Sequence, residues 1–472
     1  MKKLFITIIS VITLLASCDV SDSLNIDQKS PTTVPASGLF ANATRNLFDQ
    51  MNDCNVNTNV LRLYSQYWAQ TTYPDESQYN QVTRNISGNI WNTMYRDVLQ
   101  DLKGAKETLA ASNEDDISNK IAIINVVEAY AYATLVETFG DVPYTEALDP
   151  LNPSPKYDDA KTVYLDVMSK LSAAISTMDA NGGGFDSNQD PVYGGDVSLW
   201  KEAASSLLLR MAMRIADSNP TESKQYAEAA AAGAIMDNSD NFGIHYLDAS
   251  PNTNPLWVNL VQSGRIDFVG ADTFIDELNA LNDPRRPYWF ETVGGVYKGG
   301  IYGDANAASS FSGFSSLITN PSLIGNIITA SEVHFLLAEA VARGYSVGGT
   351  VEDHYNAGIT ASILEWGGTQ AEATAYLAQP AVAYATAAGD WKQKIGTQKW
   401  IAMFNNGMEG WTTWRIFDQP AFNAPPGMSL SDIPTRFIYP ISEATLNGPS
   451  YDAAASAIGG DTKTTKLFFD KF

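Results

Sequence analysis

The chain of 472 residues carries 53 acidic side chains against 30 basic ones, a formal charge of −23. A field of that sign repels nucleic acid and anionic bilayers, so neither is the expected partner, whereas neutral ligands such as sugars are compatible with it. Hydrophobic residues make up 44% and aromatic ones 11%, enough for a large core in one big domain or in up to about three smaller ones.

The chain opens with Met1-Lys2-Lys3, a short positive region, followed by Leu4 to Ala16, an apolar stretch too short to span a bilayer comfortably. It ends in Leu15-Ala16-Ser17-Cys18. Small residues before a cysteine resemble the lipobox of bacterial lipoproteins, which implies a removed leader over 1–17 and a lipid on Cys18. Several acyl chains on one residue anchor stably where a single chain holds only marginally. Residues 18–36, polar and mildly acidic with Pro31 and Pro35, are expected to form a flexible tether. Cys54 is then the one cysteine left, so no intramolecular disulfide is expected and stability has to come from packing.

From Ser37 the apolar period is helical. Asn89–Ala111, Asn119–Phe139, Asp158–Met178, Ser198–Asp217, Thr221–Met236, Thr329–Arg343 and Thr350–Trp366 read as amphipathic helices. Gly140 supplies a left-handed cap to the second, and Pro143 prevents its continuation. Thr329-x-x-Glu332, Thr350-x-x-Asp353 and Thr369-x-x-Glu372 have the spacing of capping boxes. Helix pairs recurring at roughly 30–40 residues predict a mostly α, tetratricopeptide-like scaffold with few short strands. Trp391–Pro420 holds four of the ten tryptophans, with Trp400, Met403 and Phe404 at i, i+3, i+4. Aromatics at helical spacing belong to a core.

The helical pattern breaks twice, over 66–84 and over 237–328, inside what is otherwise expected to be one domain, 37–472. Long irregular insertions in a compact protein are usually functional, so a ligand is sought there.

Enzymatic motifs are missing. The sequence has no His-Glu-x-x-His, Cys-x-x-Cys, Walker A or Gly-x-Ser-x-Gly motif, and no cofactor or metal is expected. A glycosidase carboxylate pair is not readable from sequence among so many acids. Asp186-Ser187-Asn188-Gln189-Asp190 alternates oxygen ligands as a calcium loop does, but without the required glycine and closing glutamate it reads as a polar turn. His334 lies on an apolar helix face and reads as structural. The glycine-flanked tyrosines of Gly295–Gly303 suit rings displayed on turns, for stacking on sugars or on peptide side chains, with core packing as the rival.

Several blocks, in order, resemble the SusD/RagB family of nutrient-binding outer-membrane lipoproteins: Leu24–Thr32, Thr138–Leu148, Pro191–Ile215, Asn282–Trp289, Glu332–Ala340, Gln398–Arg415 and Ile433–Asn447. The likeness covers nearly the whole chain. It implies a non-enzymatic, lipid-anchored protein at the cell surface that caps a SusC-like TonB-dependent transporter as a hinged lid and delivers a glycan, or in some members an oligopeptide. Its ligand residues vary between members, so the candidates rest on position alone. They are Tyr73, Tyr79, Trp257, Trp289, Tyr297 and Tyr302 for stacking, with Asp75, Asn80, Arg84 and Arg265 for hydrogen bonds to hydroxyls. Trp289 sits in a family-wide block, which also suits a core role.

Overall fold

Helices dominate the computed structural model, which describes residues 34–471. The leader, Cys18 and nearly all of the tether lie outside those residues. Ala36–Phe472 makes up one compact unit, and about 51% of the chain is helical. The principal helices are α1 (Ala36–Asn52), α2 (Gln100–Ala110), α3 (Ile117–Phe139), α4 (Ala160–Thr177), α5 (Val197–Arg214), α6 (Pro220–Ala230), α7 (Asp272–Ala280), α8 (Ala330–Ala342), α9 (Val351–Glu365), α10 (Gln370–Leu377), α11 (Trp391–Ala402), α12 (Gly407–Phe417) and α13 (Gly448–Ala457). Successive helices pack as neighbours, α3 on α4, α4 on α5, α5 on α6 and α8 on α9. This is the helix-pair scaffold that the periodicity predicts.

Helix α3 is long and apolar enough by length and composition to cross a bilayer, yet 83% of its apolar window is buried within the protein. Its polar strip is narrow, with Lys120 paired to Glu114 and Glu128 to Lys106, and the rest of the helix belongs to the core. Its last carbonyls have no intrahelical partners, and three other residues supply them. Arg415 Nη1 donates to Glu137 O at 2.6 Å, Phe437 N to Thr138 O at 2.9 Å and Arg436 Nη2 to Phe139 O at 2.8 Å. Gly140 turns the chain there with φ +91°, where a Cβ would meet Leu467 Cδ2 at 2.9 Å.

Two of the three capping boxes close. The hydroxyls of Thr350 and Thr369 accept from the backbone N–H of Asp353 and Glu372, whose carboxylates reach back to the threonine N–H. At Thr329 half the box forms: the hydroxyl accepts from Glu332 N at 3.2 Å, while the Glu332 carboxylate turns inward and takes Arg210 at 2.6 and 2.7 Å. A buried arginine outweighs one backbone N–H. The run expected over Thr221–Met236 is shorter than its pattern, since α6 starts with Pro220 at its first turn and gives way at Ala231 to a 3-10 turn. The run expected from Asn89 starts at Ile86, and its Thr93–Leu99 portion winds as a π-helix before α2.

The tryptophan-rich stretch is core. Trp400, fully buried, donates from Nε1 to Ser65 O at 2.9 Å and accepts Tyr67 Oη on its carbonyl at 2.5 Å. Trp411 donates to Pro434 O at 2.8 Å, with the Arg415 guanidinium 3.7 Å from its ring centre. Gly410 makes this approach feasible, because a Cβ there would stand 2.2 Å from Tyr67 Oη.

Four short strands pin the irregular segments to the scaffold. Strand β1 (Trp68–Gln70) pairs antiparallel with β3 (Phe268–Gly270), Trp68 opposite Gly270 and Gln70 opposite Phe268. Strand β2 (Phe242–Ile244) pairs with β4 (Gly325–Ile328) through a bulge at Phe242 and Gly243. The two islands that break the helical pattern are thus joined to each other at the β1–β3 ribbon. Asp190, in the calcium-like loop, spends its carboxylate on Trp200 Nε1 at 2.7 Å and on the N–H groups of Val192, Tyr193 and Gly195 at 2.9, 3.2 and 2.9 Å. It ends as the organiser of a turn.

Candidate ligand-binding face

The ribbon carries a loop, residues 71–85, that is folded around one side chain. Gln70 Oε1 accepts Ser77 N at 2.9 Å and Ser77 Oγ at 2.6 Å, while its Nε2 donates to Glu76 Oε2 at 2.6 Å and Tyr73 O at 3.0 Å. Thr71 N donates to Asp267 O at 2.9 Å, and Gln78 Nε2 to Gly303 O at 3.0 Å, tying the loop to the second island. Tyr73 therefore stands on a fixed backbone at φ +52°, a conformation uncommon for a residue with a Cβ, and its ring is 68% exposed. A ring held out on a backbone ordered in advance costs little further entropy when it meets a ligand.

The other candidates divide by burial. Asp75 is exposed on the same loop. Arg265 is 65% exposed and pairs with Asp267 at 2.8 Å. Trp257 is half-buried at the end of the short turn Pro255–Trp257, which Asn254 caps through Leu256 N at 2.8 Å. Tyr297 is half-buried beneath the Arg286 guanidinium, 5.4 Å from its ring centre. Two polar candidates are already engaged. Asn80 accepts Val82 N at 3.0 Å and Thr83 N at 3.1 Å and donates to Thr83 Oγ1 at 2.8 Å, a local turn. Arg84 forms an ion pair with the buried carboxylate of Glu76.

Three aromatic candidates lie inside the protein, and their expected role as stacking platforms is corrected. Trp289, fully buried, packs against Phe404, Phe274 and Trp366 at 4.6, 5.7 and 5.8 Å between ring centres. Tyr79 and Tyr302 lie 6.3 Å apart, both buried, with Tyr64 at 5.6 Å from Tyr79. The glycines beside Tyr302 bring the chain inward: a Cβ on Gly303 would meet Pro425 Cβ at 2.5 Å, and Tyr302 N donates to Asp272 at 3.1 Å. Burial pushes the Tyr79 hydroxyl up to about 12.

Near Trp257 lies a polar recess of about 450 Å³ that the sequence reading did not single out. Its wall includes Arg45, Asp49, Asp53, Asn55, Thr58 and Asn259. Arg45 pairs with Asp49 at 2.6 Å, Tyr246 Oη donates to Asp49 at 2.7 Å, and Asn259 Nδ2 donates to Asp53 at 2.7 Å. Burial pushes both carboxyls above their ordinary range, opposed at Asp49 by Tyr246 and Arg45 and at Asp53 by the N–H groups of Asn55 and Cys54. Carboxylates and amides gathered in a hollow suit hydroxyl donors. The signal was present as Asn52-Asp53-Cys54-Asn55-Val56-Asn57-Thr58-Asn59, a run too polar for a helix interior. Among the described residues, no group of three or more His, Cys, Asp or Glu could hold a metal ion.

The family model described as SusD-like, starch-binding and associating with the outer membrane, matches residues 28–440. The chain belongs to the SusD-like family. A solved chitin-binding protein is 26% identical, with a TM-score of 0.81 over 93% of this chain and 100% of its own. A SusD homologue from Bacteroides ovatus is also 26% identical, with a TM-score of 0.76 over 93% and 98%. A chitin-binding SusD homologue from Flavobacterium johnsoniae shares the fold at 24% identity and a TM-score of 0.79, over 92% and 98%. Among curated proteins none matches the chain.

Proposed function

We propose that the protein binds an oligosaccharide at the cell surface, without chemical conversion, on the face formed by the β1–β3 ribbon, the 71–85 loop and the recess beside Trp257. The observation that carries this reading is Tyr73, a tyrosine ring exposed to solvent on a loop whose backbone is already fixed. An aromatic face covers the apolar side of a sugar ring, and the carboxylates and amides of the recess suit its hydroxyls. Membership of a family described as starch-binding, and likeness to a chitin-binding protein, support the ligand class.

The same reading makes Cys18 the lipid anchor in the outer membrane and a SusC-like TonB-dependent barrel the recipient of the glycan. Calorimetric titration with starch- and chitin-derived oligosaccharides tests the ligand class, with oligopeptides titrated in parallel. Silence across the glycans together with peptide binding would move the ligand class to peptides. Affinity purification from native membranes tests the partner, and recovery of no large barrel protein would count against delivery. Cys18→Ala is expected to abolish lipid labelling.

A further inference from the structure

The chain has three histidines, and two of them face each other. His334 on α8 and His354 on α9 converge where these neighbouring helices pack, with their Nδ1 atoms 3.4 Å apart. His334 is 9% exposed and His354 is half-buried, so the pair lies at the edge of the core, within reach of solvent.

The backbone holds the far side of both rings. His354 Nε2 lies 3.2 Å from Gly348 O. A carbonyl only accepts, so Nε2 carries the ring proton and Nδ1 of His354 keeps a lone pair. His334 makes a backbone hydrogen bond at Met236 that favours a proton on its ring. Its Nδ1 faces His354, so this bond falls to Nε2, and Nδ1 of His334 keeps a lone pair as well. The turn before α9 is shaped to the arrangement: Gly348 and Gly349 have φ of +84° and +64°, and a Cβ on Gly349 would stand 2.5 Å from His354 Nε2. Any side chain there would displace the ring.

Two lone pairs set against each other call for a cation between them. The separation of 3.4 Å exceeds the range of about 2.7–3.2 Å usual when an N–H donates to oxygen. It matches the spacing of about 3.3–3.4 Å between two nitrogens bound to one tetrahedral zinc ion. The ring centres are 5.7 Å apart, so the nitrogens meet nearly head-on. A turn about the Cβ–Cγ bonds, which are soft torsions in histidine, aims both lone pairs at one ion. A ligating histidine ordinarily donates its other N–H to a carbonyl or carboxylate, the pattern found at Gly348 and Met236. The charge of Asp237 also acts on His334, with the sign that favours a cation.

We propose that His334 and His354 bind one divalent transition-metal ion of the zinc class through their Nδ1 atoms, with water in the remaining positions. The ion would clip α8 to α9 at the surface. His334, placed by its pattern on an apolar helix face, thus gains a ligand role.

The test is zinc titration of the tag-free full chain at pH 7.5, followed by the ring 15N shifts of the three histidines. Zinc is expected to move Nδ1 of His334 and His354 together, while the exposed His245 stays unmoved and reports adventitious binding. Calorimetry is expected to give a Kd below about 1 mM for this site, and His354→Ala to weaken it at least about tenfold. The wild-type shifts do not depend on how the variant folds. Shifts at His245 alone, shifts at Nε2 in place of Nδ1, no shift up to about 1 mM zinc, or equal affinity in His354→Ala would each overturn the proposal and leave the pair a plain N–H···N hydrogen bond.

Discussion

Arg210 holds Glu332 by a fork, Nε at 2.7 Å from one carboxylate oxygen and Nη2 at 2.6 Å from the other, with both side chains buried. One turn further along α5, Arg214 spans Glu137 at 3.0 Å and Glu409 at 2.7 Å. Arg210 also comes within 3.5 Å of Glu409. This chain of charges joins α3, α5, α8 and α12 at the centre of the fold. Burial alone would push Glu409 up, but Arg210, Arg214 and Lys399 outweigh it and hold its carboxyl well below the usual range. Burial draws Arg415 down to about 9, with Glu137 opposing.

Glu409→Gln leaves two buried guanidinium groups short of a counter-charge, and breaking a buried pair in this way costs about 3–5 kcal/mol. Urea unfolding at pH 7 is expected to show a loss of that order. The sign with pH follows from the depressed carboxyl: its stabilisation is full above the unfolded value of 4.5 and is lost as pH falls toward the folded value. The gap between wild type and variant should therefore narrow below about pH 4. A variant as stable as wild type at pH 7 would contradict the pairing.

Gly410→Ala tests the closeness of α12 to the Tyr67 turn. The added Cβ would stand 2.2 Å from Tyr67 Oη, and that phenol cannot swing aside without giving up its bond to Trp400 O. Overpacking of this kind costs about 1–3 kcal/mol. Thermal unfolding is the measurement; because the Cβ would also stand 2.6 Å from Tyr67 Cε2 and Cζ, the loss is expected to persist in a Gly410→Ala, Tyr67→Phe double variant.

Tyr73 and Trp289 are expected to separate binding from folding. Tyr73→Ala removes an exposed ring and should leave the melting temperature nearly unchanged while weakening oligosaccharide binding by about tenfold or more. Trp289→Ala empties a fully buried site and should cost about 3–5 kcal/mol of stability. A folded, stable Trp289→Ala protein that had lost only its ligand would reverse the assignment of that ring to the core.

Glu365, the last residue of α9, accepts from Asn326 Nδ2 at 2.9 Å and carries a stability signature of its own. A carboxyl that moves from an ordinary 4.5 to about 7 on folding is destabilising in its charged form. Stability at this site is greatest below the unfolded value and declines as pH rises from about 4.5 to 7. Above that range the deficit is constant, at most about 3 kcal/mol, because the residue keeps some contact with water. Glu365→Gln should abolish this decline and be more stable than wild type at pH 8 by denaturant titration. Parallel pH profiles for the two proteins would show that the carboxyl is well solvated.

The helices were legible because each buries one face at a period of 3.6, and Thr350 and Thr369 marked helix starts within reach of purely local hydrogen bonds. Glu332 shows where such reading ends. Its capping spacing is intact, but its partner lies 122 residues away on α5, and no local rule ranks that arginine above the nearby N–H. The two irregular islands were visible as breaks in the pattern, yet which of their rings face solvent depends on contacts made at long range. Tyr73 and Tyr79 lie six residues apart in one polar loop, and the Gln70 and Gln78 bonds set one ring outward and leave the other within. Likewise the recess draws Asp49 and Asp53 from α1 and its end, and Asn259 from a turn some 200 residues later, so no spacing announces it.

The bonds between Ser65, Tyr67 and Trp400 bridge 333 to 335 residues of chain, and the Arg62 guanidinium reaches Asn405 across 343. The turn that carries the β1–β3 ribbon is thus completed by a segment near the other end of the polypeptide. An N-terminal fragment ending before Trp391 would leave Tyr67 without its acceptor and Trp68 beside an unfinished core. Closing such separations is slow and leaves apolar surface open until late. The order of assembly this imposes places the proposed binding face among the last parts of the protein to take shape, so loss of even a short stretch of the C-terminal helices is expected to disable a site that none of them lines.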